Sequence, residues 1–353
     1  MLMIKFVFLL SYLSTSIIQN VIYAKTQLTA TYDHVWTDSS RDDPTYGGKR
    51  IINIRIWLPL SNNPRKWESS EYISQLENIK SNFMKRHKNK LSTIETDSIV
   101  TSLSASTEKY PLLIFSPALG GNLHFYTLYA EKLAQVGYVV VGVNHRYESA
   151  YIFDGQNRYE ETKLDFHNRL KDLSIPYEIT AIEYRRRKGV RQQVLGDDLI
   201  FVINQLQSSI YSSFIDFEKT GAFGHSIGGT AAVYAAYKDE RIKAVISLDG
   251  TPPSAVIEQG LSVPFLFLED LTDYNNHQGY AKVHQRRKNF IQKNRSKAYR
   301  ILYDNFNHNT FLDINVYLAS QTSAKQTSLK KILKIVAHIY EGFLLKRQQQ
   351  DRE

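Results

Sequence analysis

Residues 221–229, Gly-Ala-Phe-Gly-His-Ser-Ile-Gly-Gly, constrain the fold of this chain more than any other stretch. A short apolar run precedes them and the small-residue run Thr230–Ala236 follows, so the pattern predicts a strand, a tight turn and a helix. Gly224 and Gly228 are needed where the turn closes, because a side chain there would collide with neighbouring groups and glycine tolerates unusual backbone angles. We therefore expect Ser226 at the tip of the turn, facing the N-terminus of the helix.

The pattern G-x-S-x-G is that of the nucleophile elbow of α/β-hydrolases, which holds a serine hydroxyl above the sheet. It makes Ser226 a candidate nucleophile, with helix amides directed at the place where an oxyanion would form. A small-residue turn that opens an ordinary helix is the alternative interpretation. A serine hydroxyl is a weak nucleophile alone, so the hypothesis also requires a base and an acid that orients this base.

The rest of the 353-residue chain alternates between apolar runs and segments with helical spacing. Strands are predicted at residues 31–36, 50–57, 111–116, 138–143, 244–248, 264–268 and 300–303. Helices are predicted at residues 72–83, 123–135, 195–206 and 328–345, and a loop-rich segment at residues 147–191. This alternation predicts a single α/β-hydrolase domain over residues 25–353, with a mostly parallel, doubly wound sheet, an antiparallel opening and helices on both faces.

Residues 61–109 form a polar, lysine-rich insertion in this pattern. The apolar spacing between Tyr72 and Phe83 predicts a helix that either packs on the body or forms a lid over the site. The basic amphipathic helix at residues 328–345 is expected to pack on the sheet, and a position on a membrane surface is the alternative.

Residues 1–24 resemble a secretory signal. Lys5 provides a positive charge, Phe6–Leu13 is largely apolar, and Ala24 is a small residue at a plausible cleavage point. We therefore expect a secreted or periplasmic protein, with an uncleaved anchor as the alternative, because Ile22-Tyr23-Ala24 fits the small-x-small rule weakly. The chain has no cysteine, which excludes disulfides and thiol chemistry.

The net charge is +9, with basic residues scattered or in short runs such as residues 185–188 and 286–288. We interpret these runs as solvated faces and, as the alternative, as contacts with an anionic membrane surface. No nucleic-acid motif accompanies them, so a nucleic-acid partner is not expected. After residue 24 no apolar run is long enough to span a bilayer.

The base should follow the serine and the acid along the chain, as it does in α/β-hydrolases. Four histidines follow the serine: His277, His284, His308 and His338. His308 lies just beyond the last predicted strand, where a loop over the strand ends would present it, and is the candidate base. His225 is interpreted as a turn and packing residue, because the elbow directs it away from the site.

The residue pattern leaves the acid open. Asp249 follows one strand, while Glu269, Asp270 and Asp273 follow the next. Both positions lie at the carboxyl ends of strands, where sites form in open α/β sheets.

Several motifs occur together in one order: Arg41-Asp42-Asp43-Pro44, Trp57-Leu58-Pro59, Leu119-Gly120-Gly121, Asn144-His145-Arg146, Gly224–Gly229 and Leu248-Asp249-Gly250. From about residue 33 to residue 310 the chain resembles the platelet-activating factor acetylhydrolase-like branch of α/β-hydrolases, in particular its secreted bacterial esterases. The resemblance is weak in the insertion and at the C-terminus.

The resemblance implies Ser226 as nucleophile, Asp249 as acid, 23 residues later, and His308 as base. It also implies the amides of Ile227 and Leu119 as oxyanion donors. Pro117-Ala118 departs from the His-Gly or Pro-Gly of many members, and this alanine affects how the loop before Leu119 bends.

The implied activity is hydrolysis of short-acyl esters, including those of phospholipids, through an acyl-enzyme and without a cofactor or metal. The alternatives are a lipase or polyester hydrolase with the same triad, a peptidase or thioesterase, and a non-catalytic binding protein of the same fold. These motifs specify neither the acyl chain nor an oligomeric state.

Overall fold

The computed structural model describes residues 28–60, 64, 66–73, 79, 82–103, 108–154, 156, 159–161, 177–271 and 278–350. Its strands are β1 (Thr29–Asp42), β2 (Lys49–Pro59), β3 (Glu68–Ser69), β4 (Ser98–Val100), β5 (Tyr110–Ser116), β6 (Val139–His145), β7 (Tyr151–Phe153), β8 (Tyr159–Glu161), β9 (Ile215–His225), β10 (Ile242–Leu248), β11 (Phe265–Asp270) and β12 (Ala298–Tyr303). Its α-helices are α1 (Asn82–Leu91), α2 (Thr127–Gln135), α3 (Tyr177–Gln207), α4 (Ile227–Lys238), α5 (Ser254–Gln259), α6 (Gln278–Lys293), α7 (Ile314–Leu318) and α8 (Thr322–Gln350). The predicted signal at residues 1–24 lies outside the described residues, as do Asp273 and His277.

Within these ranges, ten strands form one sheet in the order β12-β11-β10-β9-β5-β6-β2-β1-β4-β3, and β7 pairs with β8 separately. All neighbouring pairs from β6 to β12 are parallel. β2 pairs antiparallel with both β1 and β6. The predicted α/β-hydrolase fold, a mostly parallel sheet with an antiparallel opening, is therefore confirmed.

Helices cover both faces of this sheet, and the strands supply apolar side chains to each. In β5, Leu113 and Phe115 belong to one buried cluster, which includes residues of α2 and α8. Leu112 and Ile114 point the other way, into a second cluster with residues of α3, α4 and α6. Burial on both faces is why the parallel strands are continuously apolar in sequence. The closing helix α8 packs in the core, as expected.

The helix α3 corrects the predicted loop at residues 147–191, because it begins at Tyr177. Its exposed part carries Glu183, which accepts hydrogen bonds from Arg186 and Arg187 one turn later. Such pairs stabilise a solvated helix face without an apolar stripe. Hydrophobic periodicity therefore detected only the buried second half of the helix.

The predicted helix at residues 72–83 is also wrong at its start. Tyr72 and Ile73 are buried outside any helix, and the described helix α1 begins at Asn82. The carbonyl of Glu71 accepts a hydrogen bond from Arg55 at 2.9 Å, so this segment is held by a side chain of β2. Residues 74–78, 80 and 81 lie outside the described residues.

The insertion at residues 61–109 extends the sheet, which the sequence did not predict. β4 pairs in parallel with β1, and β3 pairs antiparallel with β4. Strands of two and three residues are too short to show alternation. Among the described helices, none combines the length and apolar character that crossing a bilayer requires.

Candidate active site

Ser226 lies between the end of β9 and the start of α4, in a left-handed backbone conformation with φ 56° and ψ −120°. Such a conformation is unfavourable for a residue other than glycine and persists only where the surroundings enforce it. The amide of Ser226 donates to the carbonyl of Leu248 at 2.8 Å, and its carbonyl accepts from the Thr230 hydroxyl at 3.2 Å. The turn is thus tied to β10 on one side and to its own helix on the other.

The glycines around the turn are required by close backbone approaches, as predicted for Gly224 and Gly228. A Cβ atom on Gly224 would lie 2.4 Å from the carbonyl carbon of Gly228, and one on Gly228 would lie 2.1 Å from the carbonyl oxygen of Ser116. A Cβ atom on Gly250 would lie 2.2 Å from the Ser226 carbonyl oxygen. These neighbours are backbone atoms, so the turn leaves no space for any side chain at the three positions.

His308 and Asp249 meet at the carboxyl edge of the sheet. Asp249 follows β10 directly, and His308 opens a short 3₁₀ turn that ends at Phe311, beyond β12. Nδ1 of His308 lies 2.5 Å from Oδ2 of Asp249. The carboxylate is fully buried, whereas the imidazole is about one-third exposed. With Nδ1 donating to the carboxylate, Nε2 is the nitrogen that can accept a proton.

Arg287 of α6 fixes the other side of Asp249. Its Nη1 donates to Oδ1 of Asp249 at 2.7 Å and its Nη2 to the Asp249 carbonyl at 2.9 Å. Its Nε donates to the hydroxyl of Thr251 at 3.0 Å, so one guanidinium holds the whole turn after β10. Burial would raise the pKa of the Asp249 carboxyl, but the charge of Arg287 and the hydrogen bond with His308 outweigh it and hold that pKa below its usual range.

The other candidate acids have different partners. Both carboxylate oxygens of Glu269 are engaged by guanidinium groups, Oε1 by Arg300 at 2.7 Å and Oε2 by Arg287 at 2.9 Å. Asp270 is fully buried at the end of β11. One of its carboxylate oxygens, one of Asp249 and a ring nitrogen of His308 lie within 4.8 Å of one another.

Three such donor atoms are also a possible ligand set for a metal ion. However, Arg287 already places a positive charge against Asp249, which disfavours a cation at this point. This arrangement is therefore better suited to orienting the His308 imidazole by a carboxylate than to holding a metal ion.

His225 packs against the candidate base, so the expectation that the elbow directs it away from the site is wrong, although it is a packing residue as predicted. Its ring centroid is 4.6 Å from that of His308. Its Nδ1 lies 2.7 Å from the hydroxyl of Tyr126, which in turn accepts the amide of Ala118 at 3.3 Å. Burial, and secondarily the charge of His308, lower the pKa of His225 well below its ordinary value, so His225 is neutral. It therefore connects the base to the loop that precedes Leu119.

The predicted oxyanion donors lie in two segments that approach each other, because the carbonyl oxygens of Ser116 and Pro117, before Leu119, face Gly228, directly after Ile227. Ile227 is the first residue of α4, where an amide has no partner within the helix. Leu119 and Gly120 form the centre of a turn closed by the amide of Gly121 and the carbonyl of Ala118 at 2.8 Å, and Gly120 has φ 69°. The Leu119 amide does not take part in closing this turn.

The remaining described histidines have partners elsewhere. His284 Nδ1 lies 2.7 Å from Nη2 of Arg300, and His338 Nδ1 lies 2.5 Å from the hydroxyl of Tyr303. His284 Nδ1 also lies 3.8 Å from Oε2 of Glu269, whereas His308 Nδ1 lies 2.5 Å from Oδ2 of Asp249, which makes His308 the stronger candidate base.

Arg287, which binds the candidate acid Asp249, was missed by sequence reasoning, because the run at residues 286–288 was interpreted as a solvated face. For Arg287 this is wrong: it is buried, together with His284 and Phe290. These three residues recur at three-residue spacing on α6 and so share one face of the helix. The buried Phe290 marks that face as inward, and this was the pattern that could have revealed Arg287.

We predict that Arg287→Gln lowers the free energy of unfolding by about 3–5 kcal/mol at pH 7, because it leaves two carboxylates buried without their shared cation. The folded-state pKa of Asp249 is depressed. The stabilisation that ionised Asp249 gives the folded protein is therefore complete above the unfolded-state pKa of about 3.9. It is lost as the pH falls through the lower folded-state pKa. Urea unfolding of both proteins at pH 7 and pH 3 should show a smaller difference at pH 3.

The matched control is Lys288→Gln, which removes a neighbouring positive charge from an exposed position of the same helix. We expect it to change stability by less than about 0.5 kcal/mol. Equal effects of the two substitutions would mean that Arg287 contributes only surface charge.

Comparisons with known proteins agree with this architecture. A family model described as platelet-activating factor acetylhydrolase, isoform II, matches residues 48–335. The ferulic acid esterase from Streptomyces cinnamoneus superimposes with a TM-score of 0.66 and 23% identity, covering 88% of this chain and 87% of that one. At this identity the likeness concerns the fold.

Curated relatives match over a shorter region. The platelet-activating factor acetylhydrolase of Cavia porcellus is 31% identical over 164 residues, 40% of this chain and 35% of that protein. A probable 1-alkyl-2-acetylglycerophosphocholine esterase of Arthroderma benhamiae is 29% identical over 155 residues, 43% of this chain and 34% of that protein. The chain thus spans about a third of the length of these relatives. The secreted bacterial branch stays a prediction, but the match over residues 48–335 confirms the resemblance itself: the chain belongs to the platelet-activating factor acetylhydrolase, isoform II, family.

Proposed function

We propose that this protein is a serine hydrolase of carboxylic esters that acts through Ser226, His308 and Asp249. The observation that carries the proposal is the 2.5 Å hydrogen bond between His308 Nδ1 and Asp249 Oδ2, at the sheet edge from which the strained Ser226 turn emerges. A base oriented by a buried carboxylate, with its second nitrogen available, is what a serine nucleophile needs.

The reaction proceeds in two halves. The Ser226 hydroxyl attacks the ester carbonyl while Nε2 of His308 takes its proton, and the amides of Ile227 and Leu119 donate to the oxyanion. Collapse of this intermediate breaks the ester bond, and His308 returns the proton to the leaving alcohol. In the second half His308 takes a proton from water as the water attacks the acyl-serine, and it returns this proton to the Ser226 oxygen as the acyl-serine bond breaks, which releases the acid and the free enzyme.

The substrate class follows from family membership and from the names of the relatives. We infer short-acyl esters, including acetyl esters of phospholipids. The net charge of +9 favours contact with an anionic lipid surface that carries such a substrate. A preference for long acyl chains would instead indicate a lipase or polyester hydrolase, and a lack of turnover would indicate a binding protein of this fold.

Ser226→Ala should abolish ester hydrolysis while leaving the fold intact, because losing a triad member removes several powers of ten in rate. A panel of p-nitrophenyl esters from acetate to palmitate measures turnover and chain-length preference. A fluorophosphonate probe measures covalent labelling in parallel. Labelling that persists on the variant at another serine would refute Ser226 as the nucleophile.

Asp249→Asn should lower kcat by about a thousandfold or more, because the amide keeps the shape but removes the charge that stabilises the imidazolium. Glu269→Gln and Asp270→Asn should lower it much less on the same short-chain ester. Circular dichroism establishes that each variant is folded. If Asp270→Asn lost turnover while Asp249→Asn kept it, the acid would belong to β11.

Export is proposed from the sequence of residues 1–24. The mature protein is expected in the extracytoplasmic fraction with an N-terminus near Lys25. Mass analysis of the purified protein measures that terminus. An intact Met1 on protein from the cytoplasm would contradict export.

A further inference from the structure

A second serine, histidine and aspartate chain lies buried beneath the candidate site. The hydroxyl of Ser116, the last residue of β5, lies 2.8 Å from Nε2 of His145, the last residue of β6. Nδ1 of His145 lies 2.9 Å from Oδ2 of Asp198 in α3. All three side chains are at most 1% exposed, so no substrate can reach them. This arrangement therefore has another role than chemistry on a ligand.

The surroundings define the protonation states of Asp198 and His145. Burial would raise the pKa of the Asp198 carboxyl. The charge of Arg50 and the hydrogen bond with His145 outweigh burial and hold that pKa well below its usual range. Burial lowers the pKa of His145, so the imidazole is neutral. Nδ1–H of His145 then donates to Asp198, and the Ser116 hydroxyl donates to Nε2.

Ser116 begins the loop that carries Leu119. Its carbonyl oxygen and that of Pro117 are the atoms that would lie 2.1 Å and 2.4 Å from a Cβ atom on Gly228. The loop therefore leaves β5 in direct contact with the first turn of α4. A shift of Ser116 would therefore move this point of contact between the loop before Leu119 and the first turn of α4, which begins at Ile227.

The turn after His145 holds the other end of the same loop. The carbonyl of Glu148 accepts the amide of Gly120 at 2.8 Å, and the amide of Ala150 donates to the carbonyl of Gly121 at 2.6 Å. The hydroxyl of Ser149 accepts the amide of His145 at 2.8 Å, which closes this turn on the imidazole-bearing residue. The segment at residues 145–150 therefore contacts the loop at both ends. The His145 side chain binds the loop at its start, and the backbone of the segment binds it at its end.

Buried ion pairs hold this segment in place. Arg50 donates to Asp198 at 2.5 Å and to Asp43 at 2.8 Å. Arg191 donates to Glu148 at 2.5 Å and to Asp43 at 2.8 Å. The network joins β2, the turn after β6 and α3, three elements that are distant in sequence.

We propose that Ser116, His145 and Asp198 are positioning residues. They hold the loop at residues 117–121, which carries the Leu119 amide, against the turn at Ser226. The inference rests on the proposed ester hydrolase function. Its consequence is that removing the hydrogen bond between Ser116 and His145 weakens stabilisation of the oxyanion and leaves substrate binding in the ground state unaltered.

The test uses Ser116→Ala and His145→Asn. The asparagine amide can still donate to Asp198 but has no atom at the place of Nε2, so both variants remove the same hydrogen bond. We expect kcat on a short-chain p-nitrophenyl ester to fall about 10–100-fold with KM changed less than about 2-fold, since an oxyanion donor is worth about 100–1,000-fold. The double variant should lose no more than either single one, because the two act as a unit.

A trifluoromethyl ketone provides a readout that a purely structural role would not move. It adds to the serine hydroxyl and places an oxyanion in the loop, so its inhibition constant should rise by the factor by which kcat/KM falls. The matched control is Ser98→Ala, which also removes a buried hydroxyl bound to a buried acid, Glu131 at 2.5 Å, but at β4. It should lose stability and keep kcat.

Unchanged kcat in Ser116→Ala and His145→Asn, a loss confined to KM, or an equal loss in Ser98→Ala would each overturn the inference. A proportional loss of kcat/KM and of ketone affinity supports it. Failure of the proposed function is distinct, because then either the wild-type protein would show no turnover or Ser226→Ala would keep it, and the ketone would not bind the wild-type protein.

Discussion

The arrangement of this site depends on the left-handed backbone of Ser226. A residue other than glycine in such a conformation costs about 1–3 kcal/mol, which the surroundings must offset. They do so because β10 accepts the serine amide and because no side chain projects from Gly224, Gly228 or Gly250. The ends of β5 and β10 can therefore approach the turn as backbone. Ser116 is the last residue of β5 and Asp249 comes directly after β10, so their side chains lie next to these backbone contacts.

Two buried arginine clusters support the two sides of that turn. Arg287 organises the acid side, where it joins Asp249 to Glu269. Arg50 organises the opposite side, where it joins Asp198 to Asp43. Buried ion pairs add little net stability, because desolvation opposes their attraction, but removing one partner is costly. They are thus better understood as fixing geometry than as holding the fold together.

The sequence predicted the parts of this structure that follow from local pattern. The strands buried on both faces, the elbow around Ser226 and the position of His308 beyond the last strand all leave such a pattern, whereas Asp249 was singled out only by the resemblance to a family. The arginine clusters leave no such pattern, because Arg50 lies 148 residues from Asp198 and Arg287 lies 38 residues from Asp249. The sequence alone does not distinguish a charged residue that is buried against a partner from one that is solvated. The same holds for β3 and β4, whose pairing depends on β1 and not on their own two or three residues.

The acid side also explains how a buried carboxylate can serve a base throughout the working pH range. Asp249 and Glu269 are paired with Arg287 and Arg300, so these four side chains are formally neutral together before His308 takes a proton, and Asp270 is a further buried carboxyl group near His308. The carboxylate oxygen 2.5 Å from Nδ1 is nevertheless the charge nearest the imidazole, and the Coulomb energy falls with distance. The field at His308 therefore remains negative although the cluster is neutral as a whole. In the proposed mechanism Arg287 keeps Asp249 ionised, and the negative charge of Glu269 offsets that of Arg287, so that Arg287 does not cancel the attraction between Asp249 and the imidazolium.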